Sequence, residues 1–564
     1  DDGMGGRSRV EEASYKTNYY NTNIYTKYNF SLNEDHHFDL LAGFQAELNK
    51  YKSISAARDG LISEDVPTLG NTTSNTQFNM DSNMNEWATA GFFGSINYDF
   101  KGRYLLEVKY RYDGSSRFLR NQRWKHYPSV SMAWNVAHES FMQPFNDVLG
   151  TLKLRGSYAS LGNQNTNDIY PFFPSMGLGM GNGSWLLNSK RPNTANPPAP
   201  ISPLLTWEKV TSYDLGLDFG LFGNRLVGTF DYFWRNTNNM VAPGEELPNT
   251  AGVSSPYTNN AKMRTKGWEL SVSWRDKLSN GLGYGATLVM SDAMSTILSY
   301  PNETNNISKY YRGRKLGEIW GYETNGLAKT DEEMKSHLAS LPNGGQNALG
   351  TNWAAGDIMY KDLNGDGKID GGQGVLGNTG DRKVIGNETP RYNFGLTLNA
   401  EYKGFDFRIF FQGTLKRDKW LTGLNMWGAD GGYWQSTCLK ENMDYFRPAD
   451  TDSYFGPNVN GYLPRPLLGA SANNNKQVNS QYLQDASYMR CKNIQLGYTF
   501  PNALTQKMQL ERLRVYASVN NLCTLTGYSG IDPEFSRKSV LDTGVDNYIF
   551  PFTRSYLFGV QLSF

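Results

Sequence analysis

The 564-residue chain is short of cysteine, of charge imbalance and of long apolar runs, and each shortage excludes something. Its three cysteines, Cys438, Cys491 and Cys523, are too few and too scattered for a disulfide framework or a CxxC metal pair. Lys and Arg total 55 against 54 Asp and Glu, so the basic excess of a nucleic-acid binder is missing. No apolar run reaches about 18 residues, so no transmembrane helix is predicted. The opening residues DDGMGGRSR contain no apolar signal core, so either a targeting segment has been removed or Asp1 is not the natural start. The histidines, His36, His37, His126, His138 and His337, form no HExxH. A glycine-rich run, Gly177–Gly183, lies outside any strand–helix context, and no GxSxG elbow occurs. No catalytic role is expected.

Aromatic residues, by contrast, make up 14% of the chain, too many for a disordered one. Many sit at alternate positions. Tyr556, Phe558, Val560, Leu562 and Phe564 share one face, with Gly559, Gln561 and Ser563 on the other. Phe405, Phe407, Ile409 and Phe411 alternate with Asp406, Arg408 and Gln412, and Trp268, Leu270, Val272 and Trp274 with Glu269, Ser271 and Ser273. A period of two is a strand with two unlike faces.

Fifteen long strands are predicted, near 14–32, 36–50, 86–100, 102–117, 124–137, 150–162, 206–221, 224–240, 262–276, 280–294, 390–403, 404–416, 486–500, 509–523 and 552–564. Their joints alternate short and long. Short ones include 31–35, 100–103, 222–224, 277–281 and 403–404; long ones cover roughly 51–85, 163–205, 241–261, 295–389, 417–485 and 524–551. Long amphipathic strands with this alternation define a transmembrane antiparallel β-barrel, with short turns on the periplasmic side and long loops outside. Single-chain bacterial barrels have an even strand number. Fifteen is odd, so the chain is expected to begin within an outer loop, with an N-terminal piece supplying the remaining strands.

Eight stretches carry a family resemblance: FGSINYDF (93–100), RYDGSSRF (111–118), YPSVSMAW (127–134), KLRGSY (153–158), GDIMYKDLNGDG (356–367), YLQDASY (482–488), NNL (520–522) and YSGIDPE (528–534). In this order they resemble the SusC/RagA family of TonB-dependent outer-membrane transporters of Bacteroidetes. The resemblance implies a barrel of roughly 22 strands plugged by an N-terminal domain. It also implies a TonB complex as energy source, a SusD-like lipoprotein lid, a dimer of transporter–lid pairs, and oligosaccharides or oligopeptides as cargo. The chain would then be the C-terminal part of the barrel, about 15 of those strands, with plug and first strands absent; its partners would be the plug-bearing fragment, the lipoprotein, TonB and membrane lipid. A passive porin or surface adhesin is the alternative, and a secreted β-rich glycan hydrolase a more distant one.

The sharpest local motif is Asp362, Asn364, Asp366, Lys368 and Asp370, spaced like the oxygen ligands of a Ca²⁺ loop, with Gly367 at the turn. Lys368 would contribute its carbonyl. Position twelve is Gln373 rather than a bidentate Glu, and Asp381 could fold back as a substitute. A bound Ca²⁺ or Mg²⁺ stiffening an extracellular loop and a solvated acidic turn without an ion are both open. Trp185, Tyr310, Tyr311, Trp427, Tyr433 and Trp434 lie in long loops, where aromatic rings either grip cargo or pack the loops; Trp320 and Trp353 pose the same choice. Arg155, Asp231, Arg235 and Arg408 are expected on the wet face, pairing there or touching cargo. The terminal aromatic Phe564 resembles a barrel-assembly signal, which would make this end native.

Overall fold

The computed structural model describes residues 8–73, 79–145, 147–166, 168–176, 178–180, 186–195, 198, 200–422, 424–427, 439–467, 473–534 and 552–564. Its main element is a fifteen-stranded antiparallel sheet whose hydrogen-bonded neighbours follow chain order throughout. The strands are β1 (Arg9–Leu32), β2 (His36–Asp59), β3 (Asn79–Phe100), β4 (Tyr104–Ser115), β5 (Trp124–Asn135), β6 (Leu149–Asn163), β7 (Glu208–Leu221) and β8 (Leu226–Pro243). They continue with β9 (Tyr257–Lys277), β10 (Gly283–Ser299), β11 (Arg391–Tyr402), β12 (Phe405–Lys416), β13 (Tyr488–Thr499), β14 (Arg512–Thr526) and β15 (Ser555–Ser563). All fifteen expected strands are present. The chain divides into two compact units, one of Asp1–Trp134, Arg155–Tyr213 and Arg235–Lys262, the other of Asn135–Leu154, Asp214–Trp234 and Met263–Phe564.

The turns that join hairpins are tight because their residues tolerate left-handed backbone. Between β11 and β12 the link is Lys403 (φ +46°) and Gly404 (φ +86°), a two-residue turn with both φ positive. A Cβ on Gly404 would lie 2.7 Å from the Thr499 carbonyl oxygen, so glycine is required twice over. Aromatic rings gather beside these turns. In the first unit Phe30 and Phe38 stack at 4.9 Å between centroids, Phe38 meets Tyr98 at 4.9 Å, and Phe100 lies 6.3 Å from Tyr104. In the second, Phe405 meets Tyr498 at 4.6 Å and Tyr498 meets Phe500 at 5.1 Å.

On β5, Trp124 and Trp134 lie on one face with Val130 and the 61%-exposed Met132 between them. At ~3.3 Å per residue that stretch is ~33 Å long, and a tilt of ~40° brings its height to ~25 Å, the apolar band of an outer-membrane barrel. The other face differs. Cross-strand register in the second unit aligns Thr397, Asn399, Gln412, Gln495 and Ser518 on a polar side, opposite Leu398, Phe407, Leu496 and Val515. Asn493 donates to Asn520 across β13 and β14 at 2.8 Å, so this face satisfies part of its own hydrogen bonding.

Strands β1 to β3 run further from the turns than expected, pairing without interruption out to Arg9↔Asp59 and Ala57↔Asn79. The extra length is rich in Asn, Ser and charged residues of both signs, so its two faces do not contrast, and alternation of polarity cannot reveal it. Main-chain pairing continues regardless.

Candidate functional site

The long connections after β10, β12 and β14 fold against one another into a compact assembly within the second unit. Its core holds Tyr322, Ile358, Tyr360, Ile369, Trp420, Trp427, Tyr482 and Tyr528, all buried. Short strands brace it: Glu318–Tyr322 pairs with Arg382–Asn387, and Thr324–Leu327 with Ile358–Tyr360. Helix α1 (Asp331–Ala339) starts where Thr330 accepts a hydrogen bond from the Glu333 N–H at 3.2 Å, and three acidic residues in its first turn suit the positive end of the helix. Met334 on its inner side packs with Ala328 and Met359.

Several polar groups inside this core are matched, whereas the buried indole N–H of Trp353 has no partner among the described residues. Asp357 is fully buried and receives Arg465 Nε at 2.8 Å, Arg465 Nη2 at 2.7 Å, Asn475 Nδ2 at 2.9 Å and the Ala354 N–H at 3.0 Å. Tyr360 donates to the Asn474 carbonyl at 2.7 Å, and its burial drives the hydroxyl well above its ordinary pKa. Gln346, also fully buried, donates to the Ile358 carbonyl and accepts from the Tyr360 N–H. The connection after β14 is held by Arg490. Its guanidinium, 4% exposed, meets Asp532 at 2.7 Å and Glu534 at 2.7 Å, while Lys492 reaches Glu534 at 2.6 Å. The stretches 356–367, 482–488 and 528–534 therefore build this scaffold.

The acidic loop closes on its own donors. Asp362 accepts the N–H groups of Gly365 and Gly367, Asn364 that of Asp366, Asp366 that of Lys368, and Asp370 that of Gly372. Asp381 folds back onto the loop: fully buried, it accepts the Leu363 N–H at 2.8 Å and the Asp370 N–H at 2.9 Å. Burial raises the Asp381 pKa, whereas the hydrogen bond from Lys368, 2.6 Å from Asp370 Oδ2, lowers that of Asp370. Among the described residues no three His, Cys, Asp or Glu converge to hold a metal. These oxygens accept backbone N–H groups and, at Asp370, the Lys368 ammonium, and Ile369 of the same loop is buried in the core.

Trp185, Tyr433 and Trp434, with Cys438, lie outside the described residues. Trp427 is buried and stands edge-on to Tyr482 at 5.3 Å. Tyr311 is buried too, donating to Glu318 at 2.6 Å; burial and this bond push its hydroxyl up to about 12. Both rings pack the assembly rather than offer a face to cargo. Tyr310 packs against Tyr300 and Arg314 and is half-buried. Trp320 lies edge-on to Tyr311 and Trp353 edge-on to Tyr360. Arg408, opposite Asn399 and Gln495, is on the polar face as expected. An exposed aromatic pair lies elsewhere in these connections: Tyr454, 96% exposed, with Phe455, beside Arg447 stacked on Tyr445. One aromatic dipeptide in a polar loop has no pattern that would have singled it out.

Residues 3–522 match the family model described as TonB dependent receptor-like, beta-barrel. The chain is 28% identical over its whole length to 54% of TonB-dependent receptor P3 of Formosa agariphila. It is 27% identical over 84% of its length to 43% of TonB-dependent receptor SusC of Bacteroides thetaiotaomicron. It thus spans about half the length of the curated relatives it matches. The solved RagAB peptide transporter shares the fold, with a TM-score of 0.76 at 23% identity over 98% of this chain and 56% of that one.

Proposed function

The chain belongs to the TonB-dependent receptor-like β-barrel family of the outer membrane, and we propose from that premise that it is the C-terminal barrel part of a SusC-like importer. The whole transporter would take up oligosaccharides or oligopeptides. The observation that carries this reading is the pairing of an amphipathic fifteen-stranded sheet with connections that fold, on the side away from the tight turns, around a core of their own. A simple diffusion pore has no use for a rigid, separately packed assembly outside its mouth.

The division of labour follows from the chemistry. The aromatic-rimmed face seats the sheet in lipid. The Asn, Gln, Thr and Ser of the opposite face offer neutral donors and acceptors along the path, suited to the hydroxyls of a glycan or the amides of a peptide. The outer assembly, held by Asp357–Arg465 and Arg490–Asp532, presents a fixed surface to cargo and to a SusD-like lipoprotein lid. Energy would come from TonB acting on the N-terminal plug of the same transporter, with two transporter–lid pairs forming the assembly.

Purification of the whole transporter from outer membranes, with mass analysis of every chain retained, tests this. A plug-bearing polypeptide and a lipoprotein in equal amounts to this barrel part are expected. A barrel part folded and monomeric on its own would favour a plugless pore or adhesin instead.

A further inference from the structure

Two of the three cysteines, far apart in sequence, face each other in the fold. Cys491 of β13 and Cys523 of β14 are direct partners in the antiparallel register. We propose that Cys491 and Cys523 are joined in the mature protein by a cross-strand disulfide that staples the outer ends of β13 and β14.

The register places the two residues where a disulfide can form. Directly opposed residues of an antiparallel pair have Cα atoms ~4.5 or ~5.5 Å apart, and both separations fall within the ~4.4–6.8 Å that disulfides span. The register also shifts between Cys491 and Asn493, where Asn521 takes a positive φ of 53°. This bulge adds local twist at the step beside the pair. Neither sulfur has another described cysteine as partner; Cys523 is exposed and Cys491 is buried, 3% exposed.

Chemistry and compartment agree. An outer-membrane protein passes through the periplasm, where disulfides form and persist. The oxidant is a disulfide-bearing thiol oxidoreductase or a small-molecule disulfide. Exposed Cys523 loses its proton and attacks one sulfur of that disulfide, expelling a thiolate and forming a mixed disulfide. Cys491, deprotonated in turn, attacks Sγ of Cys523 and expels the second thiolate. The two thiols give up two protons and two electrons. The oxidant's S–S bond is replaced by Cys491–Cys523, and its two thiolates take up the protons.

The position gives the bond a purpose. Arg490, adjacent to Cys491, holds Thr524, Asp532 and Glu534. A covalent tie at 491–523 therefore pins the root of the connection that Arg490 clamps.

The test uses the whole transporter in outer membranes, alkylated before extraction so that thiols cannot exchange, then digested without reductant. A linked peptide pair containing Cys491 and Cys523 is expected, its mass about 2 Da below the sum of the two thiol peptides, and it should separate on reduction. In Cys523→Ser the linked pair should vanish and Cys491 be recovered alkylated. Recovery of both cysteines mainly as separate alkylated peptides from wild-type membranes would overturn the proposal. So would a link from Cys491 to Cys438 or to another chain. Because the main measurement is on the wild-type protein, it does not depend on the variant folding.

Discussion

Replacing Arg465 by Met keeps most of the side-chain volume and removes the cation from Asp357. In the native assembly that carboxylate has no solvent contact and four donors, two of them from Arg465. Removing one partner of a buried ion pair costs ~3–5 kcal/mol. Arg465 itself keeps 28% of its side chain exposed, so the lower end applies, ~3 kcal/mol after allowing for solvent screening. At 1.4 kcal/mol per tenfold, this raises the open fraction of the outer assembly ~100-fold.

Hydrogen exchange reads that fraction. The Ala328 N–H bonds the Asp357 carbonyl and the Ile358 N–H the Asn475 side chain, so both report opening at this point. Their exchange should accelerate ~100-fold in Arg465→Met while the amides of β11 and β12 are unchanged. The double variant Asp357→Asn with Arg465→Met should recover most of the protection, because it leaves no uncompensated charge. Acceleration below about threefold, or equal acceleration in the sheet, would refute the anchoring role given to this pair.

Three further outcomes follow from the same assembly. Burial lowers the pKa of His337, which is hydrogen-bonded to Gln346 Oε1 at 3.2 Å; the unfolded segment then binds the proton more readily, and stability is full above about 6.5 and lost as pH falls toward the lower folded pKa. Protease resistance of 331–346 should drop across that window in the wild type, and the drop should be absent in His337→Gln. Trp427→Ala should cost ~3–5 kcal/mol of outer-assembly stability by hydrogen exchange, whereas Tyr454→Ala should leave stability unchanged and weaken binding of lid or cargo in a binding assay on the whole complex. Millimolar Ca²⁺ against a chelator should leave the melting temperature within about 1 °C, since Lys368 and backbone N–H groups already satisfy the acidic loop; a rise of several degrees would establish a bound cation.

The strands were legible because a sheet with two unlike faces writes its period directly into the sequence. Phe405–Phe411 and Tyr556–Phe564 show it plainly, and every predicted strand was found. Where both faces meet the same surroundings the period fades, so the outer ends of β1, β2 and β3 were underestimated. Within the outer assembly, the short strands are too brief for any periodicity, and the core rings Tyr360, Trp427 and Tyr482 look the same in sequence as rings that bind cargo. The Asp362–Asp370 segment closes as a turn, as its Asp, Asn and Gly spacing dictates, and Asp381 returns to it. What the oxygens bind depends on Lys368 and on main-chain direction, which spacing does not specify. Arg465 with Asp357, Arg490 with Asp532, and Cys491 with Cys523 are long-range pairs that only the register brings together.

The central claim, energised import through the whole transporter, is tested most directly by uptake into cells. A labelled oligosaccharide or oligopeptide that binds the purified complex would be followed with the membrane potential intact and then collapsed by a protonophore, and again in cells lacking TonB. The account predicts saturable uptake that falls to background in both cases. Uptake that persists without TonB or proton-motive force and rises linearly with concentration would contradict it, and would make this sheet the wall of a passive pore.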